Sequence, residues 1–212
     1  MSIKHHRRYP IKIGIGNFDV RVIDPKEYKE DLYLVQVAAF SGYPDSYRPS
    51  VSKESFVNSI SNWENHYKVF GAFDKESGTL QGYSLCGEHK NFIALNVQKT
   101  NPVFERKQIN AALVYAILEH YKDRLTKDCP LVDGERNILH ETSFEDYLEK
   151  KFGFRKAYCK LHIKYKYVFG LAVRLLYPFR GLLNKINSLK AKQACAVLRM
   201  EGIVRRQRKK HD

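Results

Sequence analysis

The sequence predicts an α/β (α+β) fold: a mixed, mostly antiparallel central sheet flanked by helices, with a basic C-terminal helical appendage. Three observations carry this. The apolar spacing switches between two and about 3.6 residues in the order strand, two helices, three meander strands, helix, strand, helix, strand. A chain of 212 residues, 43% apolar and 13% aromatic, can bury one sizeable core. The formal charge of +14 is unevenly placed: residues 168–212 hold eleven Lys/Arg against two acids, or +9, leaving +5 for residues 1–167. The expected division is a folded domain over 1–167 and a basic amphipathic tail over 168–212.

Each element has its own signal. "IKIGIGNFDV" alternates and reads as a first strand. Asp24 and Pro25 open a helix that ends near Gly42 and Pro44. Ser52 starts a shorter helix with Phe56, Ile60 and Trp63 on one side. "YKVFGAF" and "TLQGYSLCG" form a hairpin turned at Gly78, and "NFIALNV" completes the meander. Ile109, Ala112, Leu113, Ala116, Ile117 and Tyr121 mark the apolar stripe of a helix preceded by Pro102. "PLVDGE" is a short strand, and Thr142 with Glu145 makes a capping box for a helix through Lys151. "RKAYCKLHIKYKYV" is the last strand, with Ala157, Cys159, Leu161, Ile163 and Tyr165 facing inward.

Several function classes are excluded. Cys86, Cys129, Cys159 and Cys195 lack the short spacing of a zinc site or a redox dithiol, so they read as reduced thiols in a cytosolic protein. His5 and His6 have no third ligand at useful spacing, and no metal site is expected. "GIG" at Gly14–Gly16 precedes strand pattern instead of a helix, so it is no dinucleotide fingerprint. No run approaches the roughly 20 apolar residues of a membrane span, and no leader-length apolar block follows the basic N-terminus. The expected location is the cytoplasm, with the tail able to place the chain peripherally at a membrane.

The stretch "NPVFERKQINAAL", Asn101 to Leu113, resembles the pyrophosphate loop of the GNAT superfamily of acyl-CoA-dependent N-acyltransferases, written "P-x-Y-R-G-K-G-I-G-x-A-L". Pro102, Phe104, Lys107, Ile109, Ala112 and Leu113 fall in register. The three glycine positions are Arg106, Gln108 and Asn110, and the leading Arg is Glu105. "YLEKKFGFR", Tyr147 to Arg155, looks like the family's "Y-x-K-x-G-F-R", with an extra residue before Gly153. The likeness spans residues 18–166, about seven tenths of the chain.

The resemblance implies acetyl-CoA or another acyl-CoA as co-substrate, and an acyl group moved to an amine or hydroxyl. The N–H groups of Gln108, Ile109 and Asn110 would face the pyrophosphate at a helix N-terminus, with the charges of Arg106 and Lys107 beside it. A non-glycine residue held at positive φ there costs about 1–2 kcal/mol. The thioester carbonyl would meet a backbone N–H around Asn96 and Val97. Glu135 and His140, in the polar stretch "DGERNILHET", are the candidate bases. Tyr147 is the candidate acid for the leaving thiolate, one place off the family position.

The acceptor class stays open among small molecules, sugars and peptides. The tail places Leu171, Leu175, Leu176, Phe179, Leu182, Leu183, Ile186 and Leu189 among Arg174, Arg180, Lys185, Lys190 and Lys192. That pattern suits an anionic membrane surface, a second copy in a homodimer, or packing on the domain. Nucleic acid is disfavoured because no stacking aromatics interleave with the terminal "RRQRKKHD". Two alternatives to an acyl-CoA enzyme stand beside it: a catalytically inactive GNAT-fold binding module acting through the tail, and an aminoacyl-tRNA-dependent transferase.

Overall fold

The meander strands form where the sequence alternates. In the computed structural model, which describes residues 5–43, 48, 52–133, 143–157, 160–186 and 188–209, β2 (Lys68–Asp74), β3 (Leu80–Glu88) and β4 (Ile93–Thr100) pair antiparallel in sequence order. β1 (Phe18–Val22) adds to β2 antiparallel, and β5 (Leu131–Val132) pairs with β4 in parallel. The sheet order is β1-β2-β3-β4-β5, the mixed and mostly antiparallel sheet the pattern predicts. Gly78 turns the hairpin at φ 71°. Asp74 fixes that turn, accepting from the Ser77 N–H at 3.1 Å and hydroxyl at 3.0 Å.

The chain divides into two compact units, residues 1–135 and 136–212. The sequence-based line at 167/168 is a division of charge and lies inside the second unit. In the first unit, the odd residues of β2 and β3 cover one face of the sheet. Val69, Phe73, Tyr83 and Leu85 pack there with Leu32 and Val35 of α2 (Lys29–Ala39) and Phe56 and Ile60 of α3 (Lys53–Ile60). Ser52 caps α3 by accepting from the Ser55 N–H at 3.2 Å. α2 starts later than Asp24, because the Asp24 carboxylate takes the Lys26 N–H at 2.9 Å and spends Pro25 to Tyr28 in a turn.

α4 (Ile109–His120) covers the other face, and a Cβ on Gly82 would strike its Ile109 and Leu113 side chains. Ala111 and Val114 are buried along with Ile109, Ala112, Leu113, Ile117 and Tyr121 of the expected stripe, so α4 is enclosed on more than one side, while Ala116 is half-buried. The reason is α1 (His5–Asn17), which corrects the first predicted strand: "IKIGIGN" is helical. Alternation would bury Ile11, Ile13 and Ile15 together. Instead Ile11 and Gly14 are buried and Ile15 is 43% exposed, a helical spacing. Gly14 permits the contact, since its Cβ would lie 2.7 Å from the Gln108 carbonyl oxygen and 2.9 Å from the Ala112 nitrogen.

In the second unit, α5 (Phe144–Tyr147) widens into a π turn over Leu148–Phe152 and ends at Gly153, φ 77°. A π turn absorbs one extra residue in a helix, and the sequence carries its extra residue there. Thr142 of the expected capping box lies outside the described residues. α6 (Tyr167–Leu176), a 3-10 turn holding Pro178, α7 (Arg180–Leu183) and α8 (Leu189–Lys209) follow. The predicted last strand pairs with no sheet strand among the described residues. Its alternation holds over Leu161, Ile163 and Tyr165, which are half-buried between exposed neighbours, whereas Ala157 is exposed and Cys159 lies outside the described residues. α8 satisfies it instead: Gln207 Oε1 accepts from the Leu161 N–H at 3.1 Å, and the Tyr165 hydroxyl donates to Glu201 at 3.0 Å.

Candidate active site

The site residues of the first unit lie on β4, on the turn after it and on the start of α4. β4 is bonded to β3 along its length, but to β5 only at Ile93 and Ala94. From Leu95 to Thr100 its second edge has no strand partner among the described residues. An edge without a strand partner can be completed by a ligand that pairs as a strand would.

The β3–β4 register shifts between Leu85, opposite Val97, and Cys86, opposite Leu95. Asn96 is therefore the extra residue of a bulge, which re-aims a strand locally. Its Oδ1 accepts from the Gly87 N–H at 3.1 Å, and a Cβ on residue 87 would come within 2.8 Å of that oxygen. Val97 turns toward the face covered by α2 and α3.

β4 runs into a 3-10 turn, Pro102–Lys107, capped by Asn101, whose Oδ1 accepts from the Val103 N–H at 3.2 Å. Gln108 joins that turn to α4 at φ 62°, ψ 39°, the left-handed region. It is the one non-glycine residue at positive φ among the described residues, so Arg106 and Asn110 occupy the other two glycine positions without that strain. The Gln108 carbonyl accepts from the N–H groups of Ala111 and Ala112 at 3.0 and 3.1 Å. Ile109 and Asn110 begin the helix, with N–H groups that have no intrahelical acceptor.

The side chains differ from what the register suggests. Lys107 is held by Asp74 at 3.3 Å and Glu76 at 3.2 Å, and stands 5.3 Å from the Phe104 ring centre. Burial raises the Asp74 carboxyl, but the Ser77 donors and Lys107 outweigh it and hold the group below its ordinary range. The Asn110 side chain is engaged too, its Oδ1 accepting from Gln98 Nε2 at 2.8 Å and from the Thr100 hydroxyl at 3.4 Å. The fully buried Ser84 hydroxyl donates to Gln98 at 3.0 Å. Arg106 is exposed, with its charge at the turn.

Sequence reasoning passed over Ser84, Gly87, Gln98 and Thr100. Their signal is polar or small residues inside apolar strands, with Gln98 and Thr100 two apart and so on one face. It also passed over Lys99, whose ammonium lies 4.4 Å from the Phe40 ring centre and whose pKa burial lowers.

In the second unit, Tyr147 stacks on Phe144 at 5.9 Å and lies 6.0 Å from Phe152. Its hydroxyl oxygen is buried without a hydrogen-bond partner among the described residues, and burial pushes its pKa up to about 12. Glu135 and His140 lie outside the described residues. A cleft of about 380 Å³ opens between the end of β1 and the start of β2, lined by residues including Asp24, Glu64, Tyr67 and Lys68. None of the predicted site residues lines it.

No protein-family model matches the chain, and no curated protein matches it in sequence. Solved structures do match. The chain is similar to a ribosomal-protein-alanine N-acetyltransferase from Brucella melitensis biovar Abortus 2308, at TM-score 0.52 and 10% identity over 70% of this chain and 99% of that one. It is also similar to an aminoglycoside acetyltransferase from an uncultured soil metagenomic sample, solved with sisomicin, at TM-score 0.50 and 10% identity over 72% of this chain and 99% of the other. By these likenesses the mixed five-stranded sheet and its flanking helices have the GNAT-like α/β fold.

Proposed function

We propose that the chain is an acyltransferase that moves an acetyl or longer acyl group from acyl-CoA to an amine or hydroxyl acceptor. One observation carries the reading: from Leu95 onward the second edge of β4 has no strand partner among the described residues, and it leads directly into the left-handed Gln108 and the N-terminus of α4. An extended pantetheine arm can pair with such an edge. The helix N-terminus it reaches attracts phosphate through its N–H groups and dipole.

The chain's own groups supply the chemistry as follows. A backbone N–H at the Asn96 bulge polarises the thioester carbonyl, where negative charge builds as the acceptor attacks. Glu135 or His140 takes the acceptor's proton. The carbon–sulfur bond then breaks and the leaving thiolate takes a proton, the role for which the family resemblance makes Tyr147 the candidate. The Tyr147 hydroxyl has no competing hydrogen-bond partner among the described residues. Arg106 stands nearest to the phosphates in charge, because Lys107 is spent on Asp74 and Glu76.

That pairing of Lys107 also favours the second reading, a GNAT-fold binding module without catalysis. Release of free thiol from acetyl-CoA across a set of amine, amino-sugar and peptide acceptors separates the two. Turnover is expected, with Tyr147→Phe losing about 100-fold or more in kcat and little in KM for acetyl-CoA. Absence of turnover, together with absence of acetyl-CoA binding, would leave the binding module. The acceptor within those classes is what the same assay identifies.

A further inference from the structure

The second unit carries an apolar stripe that none of its described residues covers. Val168, Leu171, Leu175, Phe179, Leu182 and Ile186 recur at intervals of three and four residues, the spacing of one helical face. Each is 51–77% exposed. The inward side of α6 is different: Val173 is 5% exposed, and Gly170 and Tyr177 are partly buried. Tyr177 meets α8 there, with Arg205 stacked 3.9 Å above its ring. α6 and α7 are thus anchored on one side and bare on the other.

Charge identifies the occupant. Residues 160–192 contain eight Lys/Arg and no Asp or Glu. Lys164, Lys166, Arg174, Arg180, Lys185 and Lys190 are exposed. The acids of the unit that form ion pairs, Asp146, Glu149 and Glu201, are engaged elsewhere, by Lys156 and Arg205. A second copy docking the same face would set eight cations against eight, which like-charge repulsion opposes. No described helix is long and apolar enough to cross a membrane. An exposed stripe of Leu and Phe bordered by cations instead suits a helix lying in the plane of an anionic bilayer, with the stripe sunk to the acyl boundary and the Lys/Arg at the headgroups.

We infer that α6, the Pro178 turn and α7 form a docking face for anionic lipid, holding the full chain at a membrane surface. This goes beyond the acyltransferase reading and does not depend on it. The test is co-sedimentation of the full chain with phosphatidylcholine vesicles and with vesicles that also contain phosphatidylglycerol. Binding to the anionic vesicles is expected to be roughly tenfold stronger or more, because each basic residue at such a surface is worth about fivefold. It should weaken as salt shortens the screening length below about 10 Å.

Leu171→Glu/Leu175→Glu alters exposed positions only, so its circular dichroism should match the parent while binding falls at least roughly tenfold. Arg174→Gln/Arg180→Gln/Lys185→Gln should keep the fold and lose the preference for anionic lipid. Equal binding to both vesicle types, or none to either, would overturn the inference. So would a dimer in sedimentation that Leu171→Glu/Leu175→Glu dissociates while vesicle binding stays absent, or capture of RNA in place of vesicles.

Discussion

Gln108 is where the chain departs from glycine at a cost. A left-handed residue with a side chain is disfavoured by about 1–2 kcal/mol, and it persists because neighbours over-determine it. Its carbonyl binds two N–H groups of α4, and the backbone of α1 at Gly14 lies against it. Gln108→Gly relieves the strain but adds freedom to the unfolded chain. The net expectation is a gain of about 0.5–1 kcal/mol in urea unfolding, and Gln108→Val should lose more than Gln108→Gly gains. Asp74 makes a second test at this scale. Its folded pKa is depressed, so the unfolded chain binds the proton more tightly than the folded one. The stability it contributes is therefore complete above the unfolded value of about 3.9 and is lost as pH falls through the lower folded value. Asp74→Asn should cost about 1–2 kcal/mol at neutral pH, and the gap from the parent should close on acidification; a gap independent of pH would refute the pairing.

At the level of elements, α1 is the clearest departure from the pattern, and two glycines test it with opposite signs. Gly14→Ala drives a Cβ into the backbone of Gln108 and Ala112 and should destabilise by about 1–3 kcal/mol. Gly16→Ala meets nothing within 4 Å and should stabilise by up to about 1 kcal/mol through helix propensity. Two substitutions of equal effect would contradict a helix seated on α4. The meander, the Ser52 cap, the turn at Gly78 and the α4 stripe were legible because each depends on spacing of two or of 3.6 within one segment. Residues 11–15 were not, since Ile11, Ile13 and Ile15 alternate while Gly14 answers to a contact about a hundred residues away. The stretch 160–166 shows the converse: its alternation was legible, but the partner of that alternation is α8 instead of a strand. At the candidate site, the register put Gln108 and Asn110 on one loop. It could not show that Asn110 would bond Gln98 or that Lys107 would turn to Asp74 and Glu76, because both partners come from distant strands and turns.

Across the molecule, the fold supplies a strand edge, a bulge and a helix N-terminus in one line, and the central claim is that this line holds acyl-CoA without the usual glycines. Gln108 is left-handed in the fold itself, so its strain is borne by folding, and what the missing glycines cost in binding is clearance for the phosphates. The N–H groups of α4 and the charge of Arg106 act against that loss. The direct measurement is isothermal titration of the full chain with acetyl-CoA, with acetyl-pantetheine, and with acetyl-CoA on Arg106→Glu. Arg106 is exposed, so its reversal leaves the core intact. The account expects micromolar binding of acetyl-CoA, roughly tenfold weaker binding by Arg106→Glu, and much weaker binding of acetyl-pantetheine, which lacks the pyrophosphate. Absence of heat with acetyl-CoA at millimolar concentration, or equal affinity for both ligands, would contradict it.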